Sequence, residues 1–232
     1  MIELKDASAS LTLKDVVIDG AGATSAAETD SIIKAVSGGT IVLQSGAILE
    51  NNKAAQFGSG ILANNGVKIT MEDGAVIRNN TNRNYELGGG ILLGNGSIFT
   101  MNGGEISGNT ANGGGVAIIG STMVMNGGKI SNNSTYQTSG QGSYGAGVYV
   151  ADYANASGGD ILFKPKPASF EMNGGKITGN KALDYGGGIL TFPQQGEKIT
   201  ININKNGEIS VSGLSQGKYR FIEQSIEGNN TY

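Results

Sequence analysis

The chain has 232 residues, 40 of them glycine, with no cysteine, no histidine, 15% charged residues and a formal net charge of -3. That composition excludes a disulfide framework, a thiolate metal site and imidazole chemistry. The absence of any basic run argues against nucleic acid as a partner. No apolar run approaches the ~20 residues of a membrane helix. The opening Met1–Ser10 also lacks a signal-peptide layout, so a signal and an anchor are expected outside this segment.

From the N-terminus, residues 1–39 read as a degraded rung or cap. The stretch LTLKDVVIDGAG from Leu11 only sketches an alternating pattern, and TDSIIKAV from Thr29 reads as a short amphipathic helix covering the first rung. Residues 40–200 hold a repeat, best seen by aligning Leu43, Met71, Met101, Met125 and Met172 as anchors. Three residues after each anchor stands Gly46, Gly74, Gly104, Gly128 or Gly175, and five after it Ile48, Val76, Ile106, Ile130 or Ile177. Eight after it comes Asn51, Asn79, Asn109, Asn133 or Asn180. A second signature follows, GxG and then a β-branched residue, ending at Ile61, Ile91, Val116, Val148 and Ile189.

Around each anchor the apolar residues alternate with period two, as along a strand with one face inside. Ile41, Ile69, Phe99, Met123 and Phe170 lie two residues before the anchors, with mostly polar residues between and after. Anchor spacing is irregular, which suits a coil that accepts insertions at its corners and not a helical array. The glycines and asparagines are then corner residues, chosen for tolerance of positive φ, and the five asparagines are expected to stack in one ladder. The reading is all-β: a right-handed parallel β-helix of about seven rungs in a single domain, with a corner insertion at 151–167. Residues 201–232 read as a degraded rung or cap, in which Asn204 takes the anchor's place and Ser212 the asparagine's.

Phe99-Thr-Met-Asn102 and Phe170-Glu-Met-Asn173, combined with Gly-Gly-Gly-Ile or Gly-Gly-Gly-Val, resemble the FxxN and GGA[ILV] repeats of bacterial polymorphic outer-membrane proteins. The resemblance runs from about residue 40 to 200 and implies a secreted or surface-displayed protein with adhesive or scaffold roles. The same superfold carries pectate-lyase-like enzymes, so carboxylates deserve a search. There is no Asp-Asp pair, and Asp152, Asp160, Lys164 and Lys166 are the remaining catalytic candidates, each more easily read as part of a solvated loop.

Corner loops are where binding is expected. Tyr85, Tyr136, Tyr144 and Tyr185 lie between a ladder asparagine and the next glycine triplet, and Tyr153 lies in the insertion. With Arg83, Glu86 and Asp184 nearby, these rings offer apolar faces and hydroxyls suited to a sugar, although loop tyrosines also simply shield glycine-rich backbone. Leu62, Leu92, Ala117, Tyr149 and Leu190, each two residues past the third glycine, form an outward apolar stripe. Either the insertion folds back over it or a host or neighbouring protein docks there. Glu105 and Lys129 are expected to pair across rungs, with Lys176 at the same position. The sequons at Asn95, Asn132, Asn133 and Asn155 are at the frequency chance gives.

The expectation is a non-catalytic adhesin-like surface β-helix that needs neither metal nor cofactor and binds glycans through its tyrosine corner. A lyase-like carbohydrate enzyme and a plain structural spacer are the alternatives.

Overall fold

The computed structural model describes residues 1–21, 30–54, 57–82, 87–135, 145–154, 163–183 and 186–209. These residues contain strands and turns with no helix. Three parallel sheets of seven strands each run the length of the molecule, and a small two-stranded sheet joins Lys53–Ala54 to Thr81–Asn82. Each turn of the chain contributes one strand to each sheet, which makes a parallel β-helix of seven rungs with the right-handed sense that parallel crossovers take.

The first sheet stacks Ile2–Leu4, Ile33–Ala35, Ile61–Ala63, Ile91–Gly94, Val116–Ile119, Val148–Ala151 and Ile189–Phe192. The second stacks Ser10–Leu13, Thr40–Leu43, Lys68–Met71, Ile98–Met101, Thr122–Met125, Ala168–Met172 and Ile199–Ile203. The third stacks Val16–Asp19, Ala47–Glu50, Val76–Arg78, Glu105–Ser107, Lys129–Ser131, Gly175–Thr178 and Gly207–Ile209. The expected helix near Thr29 is corrected by this order. Ile33–Ala35 is a strand between Ile2–Leu4 and Ile61–Ala63, with Ile33 and Ala35 fully buried and Lys34 turned out. Period-two burial with partners on both edges outweighs a weak helical pattern in so short a segment.

Equivalent side chains pile on one another down the rod. The second sheet buries Ile41, Ile69, Phe99, Met123 and Phe170 in one column and Leu43, Met71, Met101, Met125 and Met172 in the next. Together with the inward residues of the other two sheets they make one continuous core. Each fully buried side chain of this size contributes about 1.5–3 kcal/mol, so the rod gains stability turn by turn. At the C-terminal rung, Ile203 pairs with Met172 and so holds the anchor position expected for Asn204.

The asparagine ladder exists, with two of its members displaced by one residue. The buried column is Asn52, Asn80, Asn109, Asn133 and Asn180. The backbone N–H groups of Asn80, Asn109 and Asn133 each donate to the Oδ1 of the next member at 3.0 Å. The Nδ2 groups of the same three residues donate to that same oxygen at 2.9–3.1 Å, and also to the carbonyls of Leu49, Ile77 and Ile106. Asn51 and Asn79 are therefore not ladder residues. They occupy the neighbouring corner column with φ of 59° and 57°, stacked with Gly108, Asn132 and Gly179, all in the left-handed region. The cause is corner length: Val76 pairs with Ile48 and Glu105, so the buried aliphatics are Leu49 and Ile77 in these rungs and Ile106, Ile130 and Ile177 later.

Glycine has two distinct duties here. At Gly104, φ is 81° and a Cβ would stand 2.5 Å from the Ala75 carbonyl oxygen and 2.9 Å from the Met71 methyl. At Gly115 a Cβ would meet the Gly147 carbonyl oxygen at 2.6 Å and the ladder amide of Asn133 at 3.0 Å. The last glycine of the triplet is thus a close-approach residue that lets rung and ladder touch.

Two substitutions separate the columns. Asn80→Ala strands several buried donors and acceptors and should cost roughly 3 kcal/mol or more. Asn79→Ala only strains an exposed corner and should cost about 1–2 kcal/mol. Urea unfolding of both variants measures the difference, and equal losses would contradict the register given above.

Candidate functional site

Four of the segments between described stretches fall in sequence after a ladder asparagine and before the glycine-rich run that opens a first-sheet strand. Their flanks are Ala54 and Phe57, Asn82 and Leu87, Thr135 and Gly145, and Leu183 and Gly186. The flanks themselves are tied rung to rung: Gly58 N–H donates to Leu87 O at 3.1 Å, Gly88 N–H to Asn112 O at 2.8 Å, and Thr135 N–H to Lys181 O at 3.1 Å. In the turn from Asn109 to Gly115 no such segment is inserted and the corner closes tightly. Tyr85, Tyr136, Tyr144, Tyr185, Arg83, Glu86 and Asp184 lie in these segments, outside the described residues.

Tyr153 is described and belongs elsewhere. It follows Val148–Ala151 and so stands half-buried at the corner between the first and second sheets.

The apolar stripe is covered by the chain itself. Leu62, Leu92, Ala117 and Tyr149 are buried, with Leu92 at 0% exposure, and Leu190 is half-buried at the C-terminal end. Phe57 and Phe163 close over them, their rings edge to face at 5.6 Å. Phe163 reaches back to Gly94, where any Cβ would stand 2.6 Å from the ring, and Lys164 N–H donates to Asn95 Oδ1 at 2.8 Å. The described end of the insertion, Phe163 to Pro167, is therefore a strap over the outer face of earlier rungs that rejoins the second sheet at Ala168. Docking through Leu62, Leu92 and Tyr149 is corrected on this ground, since a partner would first have to displace the strap.

Asp152 is a structural hub. Its side chain is buried and accepts backbone N–H bonds from Gln194 at 2.7 Å, Gln195 at 2.8 Å and Glu197 at 3.0 Å. Burial alone would push its carboxyl up; the three amide donors outweigh that and hold it below the ordinary value of 3.8. Its own carbonyl accepts from Lys166 N–H at 3.0 Å, so one residue fixes both the strap and the turn of the next rung. Asp160 lies outside the described residues, and Lys164 and Lys166 are exposed on the strap. The described carboxylates form no group of three that could hold a metal ion.

Several contacts were not legible from motif spacing. Asn102, Asn126, Asn173 and Asn204 form a second, exposed amide ladder, each Nδ2 donating to the oxygen of the preceding member and that of Asn102 to Glu72. The signal was present in the polar residue that follows every anchor. Glu105 accepts the Ser131 hydroxyl at 3.1 Å and Lys176 pairs with Glu208 at 2.9 Å, in place of the expected Glu105–Lys129 pair. Asn95 and Asn133 are buried with their amide nitrogens hydrogen-bonded, so neither offers a free amide; Asn132 holds an exposed corner with φ of 55°, and Asn155 lies outside the described residues. A shallow groove of about 280 Å³, lined by Asp73, Gly104, Glu105 and Lys129, lies at the second-to-third corner.

No family model, curated protein or solved structure matches the chain.

Asp152→Asn keeps one acceptor oxygen and places an amide where three N–H groups converge. Because the folded carboxyl is held low, its stabilising share is present above pH 3.8 and is lost as pH falls through the depressed value. The variant should therefore melt below the parent at pH 7, by roughly 2–4 °C for each kcal/mol lost. The gap should narrow under acid, and scanning calorimetry across pH reads both effects.

Proposed function

We propose that the protein is a non-catalytic β-helical rod of a bacterial surface or secreted protein that presents its corner segments for attachment to glycans. The observation that carries this reading is that four segments lying in sequence between a ladder asparagine and the next first-sheet strand fall at one corner, while the strap insertion uses another. A solenoid tolerates an insertion at any of its corners, yet these share one, and they contain four of the eight tyrosines. The ladder on the inner side of that corner is fully hydrogen-bonded, so the base from which the segments leave is rigid. Rigid support beneath variable loops is the arrangement that lowers the ordering cost of binding. The one described carboxylate at the insertion that the sequence offered as a catalytic candidate, Asp152, has its oxygens committed to backbone amides, which supports binding over catalysis.

A glycan array tests the proposal. Wild-type protein should mark a defined set of glycans, and Tyr85→Ala, Tyr144→Ala and Tyr185→Ala combined should weaken those signals about tenfold or more, as loss of aromatic contacts at a binding surface does. Binding indifferent to the three changes moves the site off this corner. An empty array favours the structural spacer.

A further inference from the structure

Four lysines stand along the corner between the first and second sheets, and none makes an ion pair with a described carboxylate. Lys68 opens the strand Lys68–Met71 in the third rung, Lys164 and Lys166 lie on the strap, and Lys198 precedes Ile199–Ile203 in the seventh. All four are exposed. The ion pairs among the described residues use Lys5, Lys34, Arg78 and Lys176, and Lys166 Nζ donates to the Asn95 carbonyl oxygen at 3.5 Å. From the second rung onward the described carboxylates at this corner are Asp152, which is buried and spends its oxygens on three amides, and Glu197. A chain with a net charge of -3 thus carries a positive edge.

The strap makes part of that edge preorganised. In Lys164-Pro165-Lys166-Pro167 the two prolines fix φ and restrict the residues before them, which limits the backbone freedom of the lysines. Phe163 is anchored in the outer core, Lys164 N–H is bonded to Asn95 Oδ1 and Lys166 N–H to Asp152 O. The two ammonium groups therefore ride on a fixed base, and only their side-chain freedom is lost on binding.

We propose that this corner binds an acidic polysaccharide laid along the rod axis. From the third rung to the seventh the lysines span ~20 Å at the ~4.8 Å spacing of stacked strands, which matches a polymer and not a small anion. Lysine is a mobile point charge that pairs with single anionic groups, so carboxylates spaced along a sugar chain suit a row of lysines, and the polyphosphate probe below separates the two anions. A nucleic acid is met by a run of aromatic faces along its path, whereas the described rings at this corner that are not buried are Tyr153, half-buried, and Phe192, exposed at the seventh rung alone. The inference shares with the attachment reading only the class of partner; it uses a different corner and different residues.

Labelled hyaluronan, with neutral dextran and inorganic polyphosphate as comparison probes, tests it by fluorescence anisotropy at low and at physiological salt. Wild-type protein should bind hyaluronan in a salt-sensitive way and ignore dextran. Lys68→Gln, Lys164→Gln, Lys166→Gln and Lys198→Gln combined should weaken binding at least about tenfold, while Arg at the same four positions keeps it. Lys129→Gln, Lys176→Gln and Lys181→Gln combined, away from this corner, should leave it unchanged. No hyaluronan binding by wild type, an equal loss in the second set, or polyphosphate binding as tight as hyaluronan each overturns the proposal. The lysine variant should retain any array signals that depend on the tyrosines, so failure of one reading is distinguishable from failure of the other.

Discussion

The constraint beneath this structure is that a buried amide must find partners for its donors and acceptors. Asn109 meets it with four hydrogen bonds: its oxygen takes the backbone and side-chain N–H of Asn80, and its nitrogen gives to Ile77 O and Asn133 Oδ1. Every one of those partners belongs to an adjoining rung. A single rung holding a buried asparagine would leave several polar atoms unsatisfied, each at a cost of about 1–3 kcal/mol, so the residue is stable only inside a stack. The apolar columns tolerate a change of neighbour far more readily, because dispersion and burial have little directional preference. The ladder fixes register; the methionines, isoleucines and phenylalanines supply most of the stabilisation.

Composition alone points toward disorder, and periodicity reverses that reading. The GxG triplets and the polar corner after each anchor are legible because the fold demands small or left-handed residues at fixed places, as at Gly104 and Gly115. The identity of the ladder was half legible. Counting forward from the anchor fails where corners differ in length, and it selects Asn51 and Asn79. Counting three residues on from the buried aliphatic of the third sheet succeeds from the second rung to the sixth, from Leu49 to Asn52, Ile77 to Asn80, Ile106 to Asn109, Ile130 to Asn133 and Ile177 to Asn180. The dependable reference is the nearest inward side chain, since it and the ladder residue share one short stretch of backbone whose length does not vary.

The outer face was legible as a stripe but its cover was not. Leu62 and Leu92 reveal by period two that something must lie over them, yet the covering ring comes from Phe163, some 70 or more residues along the chain from Leu92. Nothing local to FKPKP announces that it turns back along the rod. The same holds for Asp152, whose neighbours in sequence look like a loop while its carboxylate is held by Gln194, Gln195 and Glu197 of the following turn. Contacts between an insertion and the body depend on three-dimensional closeness without a repeat to expose it. The tyrosine corner is intermediate: its position on the rod follows from the flanking repeat, and the arrangement of its side chains does not.

The inner ladder also has a direction. In Asn80, Asn109 and Asn133 alike, the side-chain nitrogen donates toward the later rung, so the end facing the start of the chain offers acceptors and the other end offers donors. A turn copied within the gene arrives with the correct polarity and satisfies both neighbours, whereas an inverted or half-length segment would set donor against donor. Such a molecule is free to lengthen or shorten by whole coils while its corner segments diversify separately, which divides reach and recognition into two traits that selection can adjust one at a time.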